Sequence, residues 1–200
     1  MSEMKIIGIT GGIACGKSNL TGALKKAGAW VIDADEISRN LTADGGKALQ
    51  EIRSAFGNAV FDGEKLNRRA LADLIFTDEE KRKQLNGILH PLIFQEISLQ
   101  LRLARESKEK VVFLDIPLLY ETGAERLCDA VWCAYIPGEE QITRLMLRDG
   151  ITREKALDKI HSQMSALDKK NRADKVIDTS GTPEESARIV LQLYHDLLSE

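Results

Sequence analysis

The sequence predicts an α/β protein, a parallel five-stranded sheet flanked by helices and interrupted by one long helical insertion. Three observations predict it. Short continuous apolar runs alternate with stretches of helical period, the pattern of parallel strands covered on both faces. A glycine-rich loop joins the first apolar run to the first helix. Residues 36–108 separate the second run from the third, whereas a crossover between parallel strands needs only about a dozen residues. The 200 residues fit one domain with a sizeable insertion, and 43% apolar content beside 30% charge suffices for a buried core.

The elements follow in order. Lys5 to Thr10 is short, apolar and β-branched, a buried strand. Leu20, Ala23, Leu24 and Ala27 carry the next helix, which Gly28 ends. Trp30 to Ile32 is a second strand ending at Asp33, Val111 to Leu114 a third ending at Asp115, Ala130 to Ile136 a fourth, and Lys175 to Ile177 a short fifth ending at Asp178. Helices are expected at 139–149 and at 153–167, the latter with Ala156, Leu157, Ile160, Met164 and Leu167 as its stripe. Thr182-Pro183-Glu184-Glu185 is a capping box with proline in the first turn, and it opens the last helix. In the insertion, Leu66, Ala70, Leu71, Leu74 and Ile75, then Leu85, Ile88, Leu89, Leu92 and Ile93, keep helical spacing almost throughout, with His90-Pro91 inside a long pattern that proline kinks. The expected organisation is a core of residues 1–35 and 109–200, with 36–108 as an inserted subdomain that binds a substrate or covers a site.

Composition removes several functions. The chain has 28 basic and 31 acidic residues, a net charge of −3, and lacks the interleaved basic and aromatic stripe that stacks bases. Nucleic acid is not an expected partner. No apolar stretch approaches a membrane span or a signal segment, so no membrane association is expected. Three cysteines, Cys15, Cys128 and Cys133, do not make a disulfide framework and suit a reducing cytoplasm.

Gly11-Gly12-Ile13-Ala14-Cys15-Gly16-Lys17-Ser18 matches the phosphate-loop pattern in its confirming context, between a strand and an amphipathic helix. Glycines let backbone amides form a nest for the β-phosphate, and the helix N-terminus adds partial positive charge. Lys17 supplies a mobile full charge, and Ser18 a hydroxyl for Mg²⁺. Cys15, at a helix N-terminus, is expected to have a lowered thiol pKa. A small-molecule kinase and a GTPase-type switch both use such a loop. The switch needs a guanine-reading N-K-x-D, which is absent, and Asp178-Thr179-Ser180-Gly181 matches D-x-x-G only after the fifth strand. The kinase reading survives best. Asp33 is the candidate base and lies beside the phosphate loop if the second strand neighbours the first. Asp35 serves instead, contacts ligand, or caps the helix from Glu36. Asp115 closes an apolar strand, as a metal-supporting acid does. Arg144 and Arg148 share a helix face, and 139–167 with Arg144, Arg148 and Arg153 forms a candidate lid hinged at Gly150. His90 is either a substrate contact or a structural residue.

With these residues in place, the chain resembles the dephospho-coenzyme A kinase family. The blocks that carry the resemblance are residues 7–18, VIDADEISR at 31–39, His90-Pro91, DIPLLYE at 115–121, RDGITREKA at 148–156, SQM at 162–164 and ADKVIDTSG at 173–181. The resemblance implies a P-loop core like that of nucleotide monophosphate kinases, with a helical CoA domain at 36–108 and a lid. It implies transfer of the γ-phosphoryl of ATP to the ribose 3′-hydroxyl of dephospho-CoA with Mg²⁺, the final step of CoA biosynthesis, with no obligate protein partner. Its phosphate loop maps onto Gly11–Ser18, its catalytic aspartate onto Asp33 and its lid arginine onto Arg148. The implied ATP contacts are Gly11 to Asn19 with Arg144; the implied substrate contacts are Asp33, Asp35, His90, Leu118 and Glu121; Ser18 and Asp115 serve the metal. The loop reads A-C-G-K-S-N where the family commonly has G-S-G-K-S-T, and D-T-S-G stands where D-N-S-G is common. Because backbone groups do most of the cradling, tuned affinity rather than lost activity is expected.

Overall fold

A computed structural model describes residues 4–199. Its elements are β1 (Lys5–Gly11), α1 (Lys17–Lys26), β2 (Trp30–Asp33), α2 (Ala34–Leu41), α3 (Leu49–Phe56), β3 (Phe61–Asp62), β4 (Lys65–Leu66), α4 (Arg68–Thr77), α5 (Glu79–Glu106), β5 (Val111–Asp115), β6 (Ala130–Tyr135), α6 (Gly138–Asp149), α7 (Arg153–His161), α8 (Ala166–Arg172), β7 (Lys175–Asp178) and α9 (Pro183–Ser199). The chain divides into two compact units, residues 1–32 with 104–200, and residues 33–103.

In the first unit the strands form one sheet of order β2-β5-β1-β6-β7. Both neighbours of β1 run parallel to it, with Ile7 opposite Phe113 on β5 and opposite Ala130 on β6. β7 is parallel to β6. The chain leaves β1 toward one side of the sheet and later crosses to the other, so the switch point lies at β1, where a crevice opens beyond the strand ends. The second strand does not neighbour the first: β5 comes between them. The acid next to the phosphate-loop strand is therefore Asp115 at the end of β5, not Asp33.

β1 and β5 are apolar because both their faces are covered. Phe113 is fully buried, with its ring 5.5 Å from Trp132 and 5.4 Å from Tyr194. Leu20 and Leu24 of α1 and Val190 and Tyr194 of α9 join the same buried cluster. Each large side chain so buried stabilises by about 1.5–3 kcal/mol. The predicted caps form. Gly28 takes φ +81° after α1, and at α9 the Thr182 amide donates to Glu185 while the Glu185 amide donates to the Thr182 hydroxyl.

One expected helix is in fact two. Residues 153–167 are not one helix: α7 ends at His161, and α8 starts at Ala166 with Ser165 as its cap, accepting from the Asp168 amide at 3.0 Å. A serine that caps a new helix competes with continuation of the old one, and Leu167, assigned above to the apolar stripe, is 53% exposed. The insertion is almost wholly helical, as expected, with one small exception. Phe61–Asp62 and Lys65–Leu66 pair as a small antiparallel hairpin. Its turn uses Gly63 at φ +62°, and Arg53 secures it by stacking on Phe61 at 4.1 Å and donating to the Gly63 carbonyl.

The second unit is otherwise α2 to α5, with local caps at Asp33, Asn67 and Asp78. Its buried apolar residues include Ile37, Leu41, Ile52, Phe61, Leu71 and Ile97. Among the described residues no helix is long and apolar enough to cross a membrane.

Candidate active site

The loop after β1 has its shape because little room exists behind it. A Cβ on Gly12 would lie 2.6 Å from Gln141 Nε2 and 3.0 Å from Ala166 Cβ. Gly16 adopts φ +78°, and Ala14 sits at φ +61° without being glycine, a conformation that costs an L-residue about 1–2 kcal/mol. Donors behind the loop hold its carbonyls. Buried Gln141 of α6 donates to the Ile13 carbonyl at 2.8 Å, and buried Thr179, just past β7, donates to the Cys15 carbonyl at 2.7 Å. With these carbonyls tied outward, the loop is preorganised as an amide nest for phosphate.

Lys17 opens α1, and its ammonium is hydrogen-bonded to Asp115 in an ion pair. The Asp115 side chain is only 5% exposed and that of Lys17 16%. Ser18 is exposed in the first turn beside them. Asn19 points elsewhere: its Nδ2 donates to the Pro183 carbonyl at 2.7 Å and to Ser186 Oγ at 3.0 Å, joining α1 to the start of α9. The expectation for Cys15 is overturned. Its side chain is fully buried, and burial pushes its thiol pKa up rather than down.

α6 and α7 form an arm over the loop. Ile142, Leu145 and Ala156 make a small core against which Ile13, Ala14, Ile151 and Ile160 pack. Arg144 donates to the carbonyls of Thr179 and Ser180, at 2.8 and 3.1 Å, and pairs with Glu140. Arg148 pairs with Asp149 and Arg153 with Glu139, all at or near the surface. The Arg148 guanidinium and then the Lys159 ammonium hold the Asp149 carboxyl well below the usual carboxylate range.

The structure thus brings Gly11 to Lys17 and Asp115 together, with Ser18 at their edge. Asp33 ends β2 and caps α2, accepting from the Glu36 amide at 3.0 Å. The cap is Asp33 and not Asp35, which is exposed in the first turn. His90 is half-buried on α5, and Leu118 is 37% exposed. Glu121 accepts from the Met164 amide at 3.0 Å and pairs with Lys169 at 2.9 Å. Sequence reasoning missed Gln141, Thr179 and Lys169. Thr179 lay inside a tetrad set aside as coincidence. Lys169 is half of a Lys-Lys doublet that reads as surface, yet its side chain is fully buried. Only the neighbours each meets in the fold distinguish them.

The family model for dephospho-CoA kinase matches residues 5–185. The dephospho-CoA kinase of Bacillus licheniformis is 42% identical over 189 residues, 94% of either chain. The crystal structure of TT1252 from Thermus thermophilus superposes with a TM-score of 0.81 at 34% identity, over 98% of this chain and 99% of that one. The dephospho-CoA kinase from Campylobacter jejuni shares the fold, with a TM-score of 0.68 at 24% identity over 97% of each chain. With a phosphate loop braced by buried donors, a lysine on a strand-end aspartate, and these matches along nearly its whole length, the chain belongs to the dephospho-CoA kinase family.

Proposed function

We propose that this chain transfers the γ-phosphoryl group of ATP to the ribose 3′-hydroxyl of dephospho-CoA, giving coenzyme A and ADP. The observation that carries the reading is the braced loop with Lys17 at its end, since phosphoryl transfer is mostly positioning and charge stabilisation. The amides of Gly11 to Ser18 hold the β-phosphate, and Lys17 shares the charge that grows on the oxygens between β- and γ-phosphorus. Arg148 adds a second cation from the arm. Asp33 takes the 3′-hydroxyl proton as the new O–P bond forms and the bond from γ-phosphorus to the ADP oxygen breaks. Asp35, His90, Leu118 and Glu121 belong to the acceptor side, Arg144 and the backbone of Asn19 to the nucleotide side, and residues 36–108 act as the CoA-binding subdomain.

Mg²⁺ fits the residues as a companion of the nucleotide. Among the described residues no group of three acidic, histidine or cysteine side chains forms a cage. A hydroxyl at Ser18 and a buried carboxylate at Asp115 suit an ion that keeps its waters and takes its other ligands from phosphate. When bound, the ion neutralises charge on the β- and γ-phosphates.

Asp33→Asn separates base from cap, because asparagine caps a helix as well as aspartate does. Turnover should fall by roughly 10²- to 10⁴-fold, with the KM for ATP and the thermal midpoint nearly unchanged. ADP release with ATP, Mg²⁺ and either dephospho-CoA or a panel of nucleosides is the measurement. Undiminished turnover of the variant removes Asp33 as base, and turnover driven by another acceptor replaces the substrate.

A further inference from the structure

The Lys169 ammonium is completely buried on α8, and no step of the reaction uses it. Its Nζ donates to the Pro117 carbonyl at 2.7 Å and lies 2.9 Å from Glu121 Oε1. The Pro117 carbonyl also accepts from Thr10 Oγ1, on the strand that leads into the phosphate loop. Glu121 in turn accepts from the Met164 amide, in the turn where the chain returns from the arm. Two further contacts place α8 against both sides. Arg172 lies 4.1 Å from the centre of the Tyr120 ring. Ala166 is so close to the phosphate loop that a Cβ on Gly12 would meet it at 3.0 Å. One short helix therefore touches the phosphate loop at its start and grips residues 117–121 along its length.

Folding alone does not call for a lysine there. Desolvating an ammonium is costly, and well-packed apolar side chains in place of the whole Lys169–Glu121 pair would commonly serve stability as well or better. What the charge adds is directional: two acceptors, Pro117 O and Glu121, are fixed relative to one point on α8.

We infer that Lys169 is a positioning residue that sets the 115–121 segment, which begins at Asp115, in register with the phosphate loop and with the return of the α6–α7 arm. The inference rests on the reading of that segment as the acceptor side of a dephospho-CoA kinase. Without Lys169 the helix remains packed, but the segment and the arm lose their common anchor. Acceptor and phosphoryl group then meet less often in line, and water competes.

The test is Lys169→Met, compared with the full-length wild type. The thermal midpoint should fall by several degrees, because Glu121 loses the ammonium beside it, so activity is read well below that midpoint, where the variant is folded. The kcat for coenzyme A formation should fall by roughly 10- to 100-fold, the scale of a misplacement of about 1 Å. The KM for ATP should stay within about twofold, and the ratio of ADP released to coenzyme A formed should rise. Glu121→Gln combined with Lys169→Met removes both charges and should recover most of the midpoint while kcat stays low. An unchanged kcat and product ratio overturns the inference, as does a kcat that returns with the midpoint in the double variant. Wild-type protein that forms no coenzyme A overturns the function instead, whereas an active wild type beside an unimpaired variant overturns only the role of Lys169.

Discussion

The phosphate loop and the arm above it are held by opposite means. Behind the loop, buried polar groups meet directly: Gln141 with the Ile13 carbonyl, Thr179 with the Cys15 carbonyl, Lys17 with Asp115. Along the arm, Arg148 and Lys159 share Asp149, and Arg153 clasps Glu139, with the cations half exposed. A buried group that loses its partner costs about 1–3 kcal/mol, whereas exposed ion pairs contribute little and are screened by salt. The loop is therefore fixed before any nucleotide arrives. The arm is seated through its small apolar core around Leu145 and Ala156, while its cations remain exchangeable. On the proposed reading, Arg148 trades Asp149 for phosphate oxygens at small cost, as a closing lid requires.

The largest effect that would break this contrast belongs to Lys17→Ala. Transition-state charge would lose its cation, and Asp115 would lose the ammonium beside it. Turnover should fall by about 10²- to 10³-fold or more, with a lowered thermal midpoint because a buried pair has lost one partner. Steady-state kinetics and thermal unfolding check both, and full activity would remove the phosphate loop from the chemistry.

Thr179→Val comes next. It keeps the shape but removes the donor to Cys15, so urea unfolding should show a loss of about 1–3 kcal/mol, with a raised KM for ATP. A stability loss with no change in KM would show that the brace is not what preorganises the nest.

The smallest effect sharpens the other side of the contrast. Asp149 has a carboxyl held low by Arg148 and Lys159. Its pairing contributes above the ordinary carboxylate pKa of about 3.9 and fades as pH falls below it. Asp149→Asn should leave the thermal midpoint near neutral pH almost unchanged and flatten its acid limb slightly, less so in high salt. A large, salt-independent loss at neutral pH would mean that the arm is braced like the loop.

Much of the core was legible because its signals are local. Ile6 to Ile9 of KIIGIT are buried on both faces, so they carry no polar side chain. The glycines of the loop, Gly28 after α1 and the Thr182–Glu185 box each answer to backbone geometry within a few residues. The helix read across 153–167 failed for the converse reason. Its apolar spacing continues past His161, but Ser165 and Asp168 start a new helix that the spacing does not reveal. The hairpin at 61–66 was missed because two-residue strands carry no periodicity.

What the sequence determined by itself is the phosphate loop, its strand and helix, and the strand ends at Asp33, Asp115 and Asp178, since each depends on the residue types within a few positions. What only the tertiary structure decided is which strand lies beside the loop and which side chains brace it. β5 takes the place next to β1, so Lys17 finds Asp115, 98 residues away. Gln141, Thr179 and Lys169 reach their partners across 128, 164 and 52 residues. A hydrogen bond over such a span leaves no local pattern, because each partner is chosen by the packing of the sheet and not by the residues that flank it in the chain.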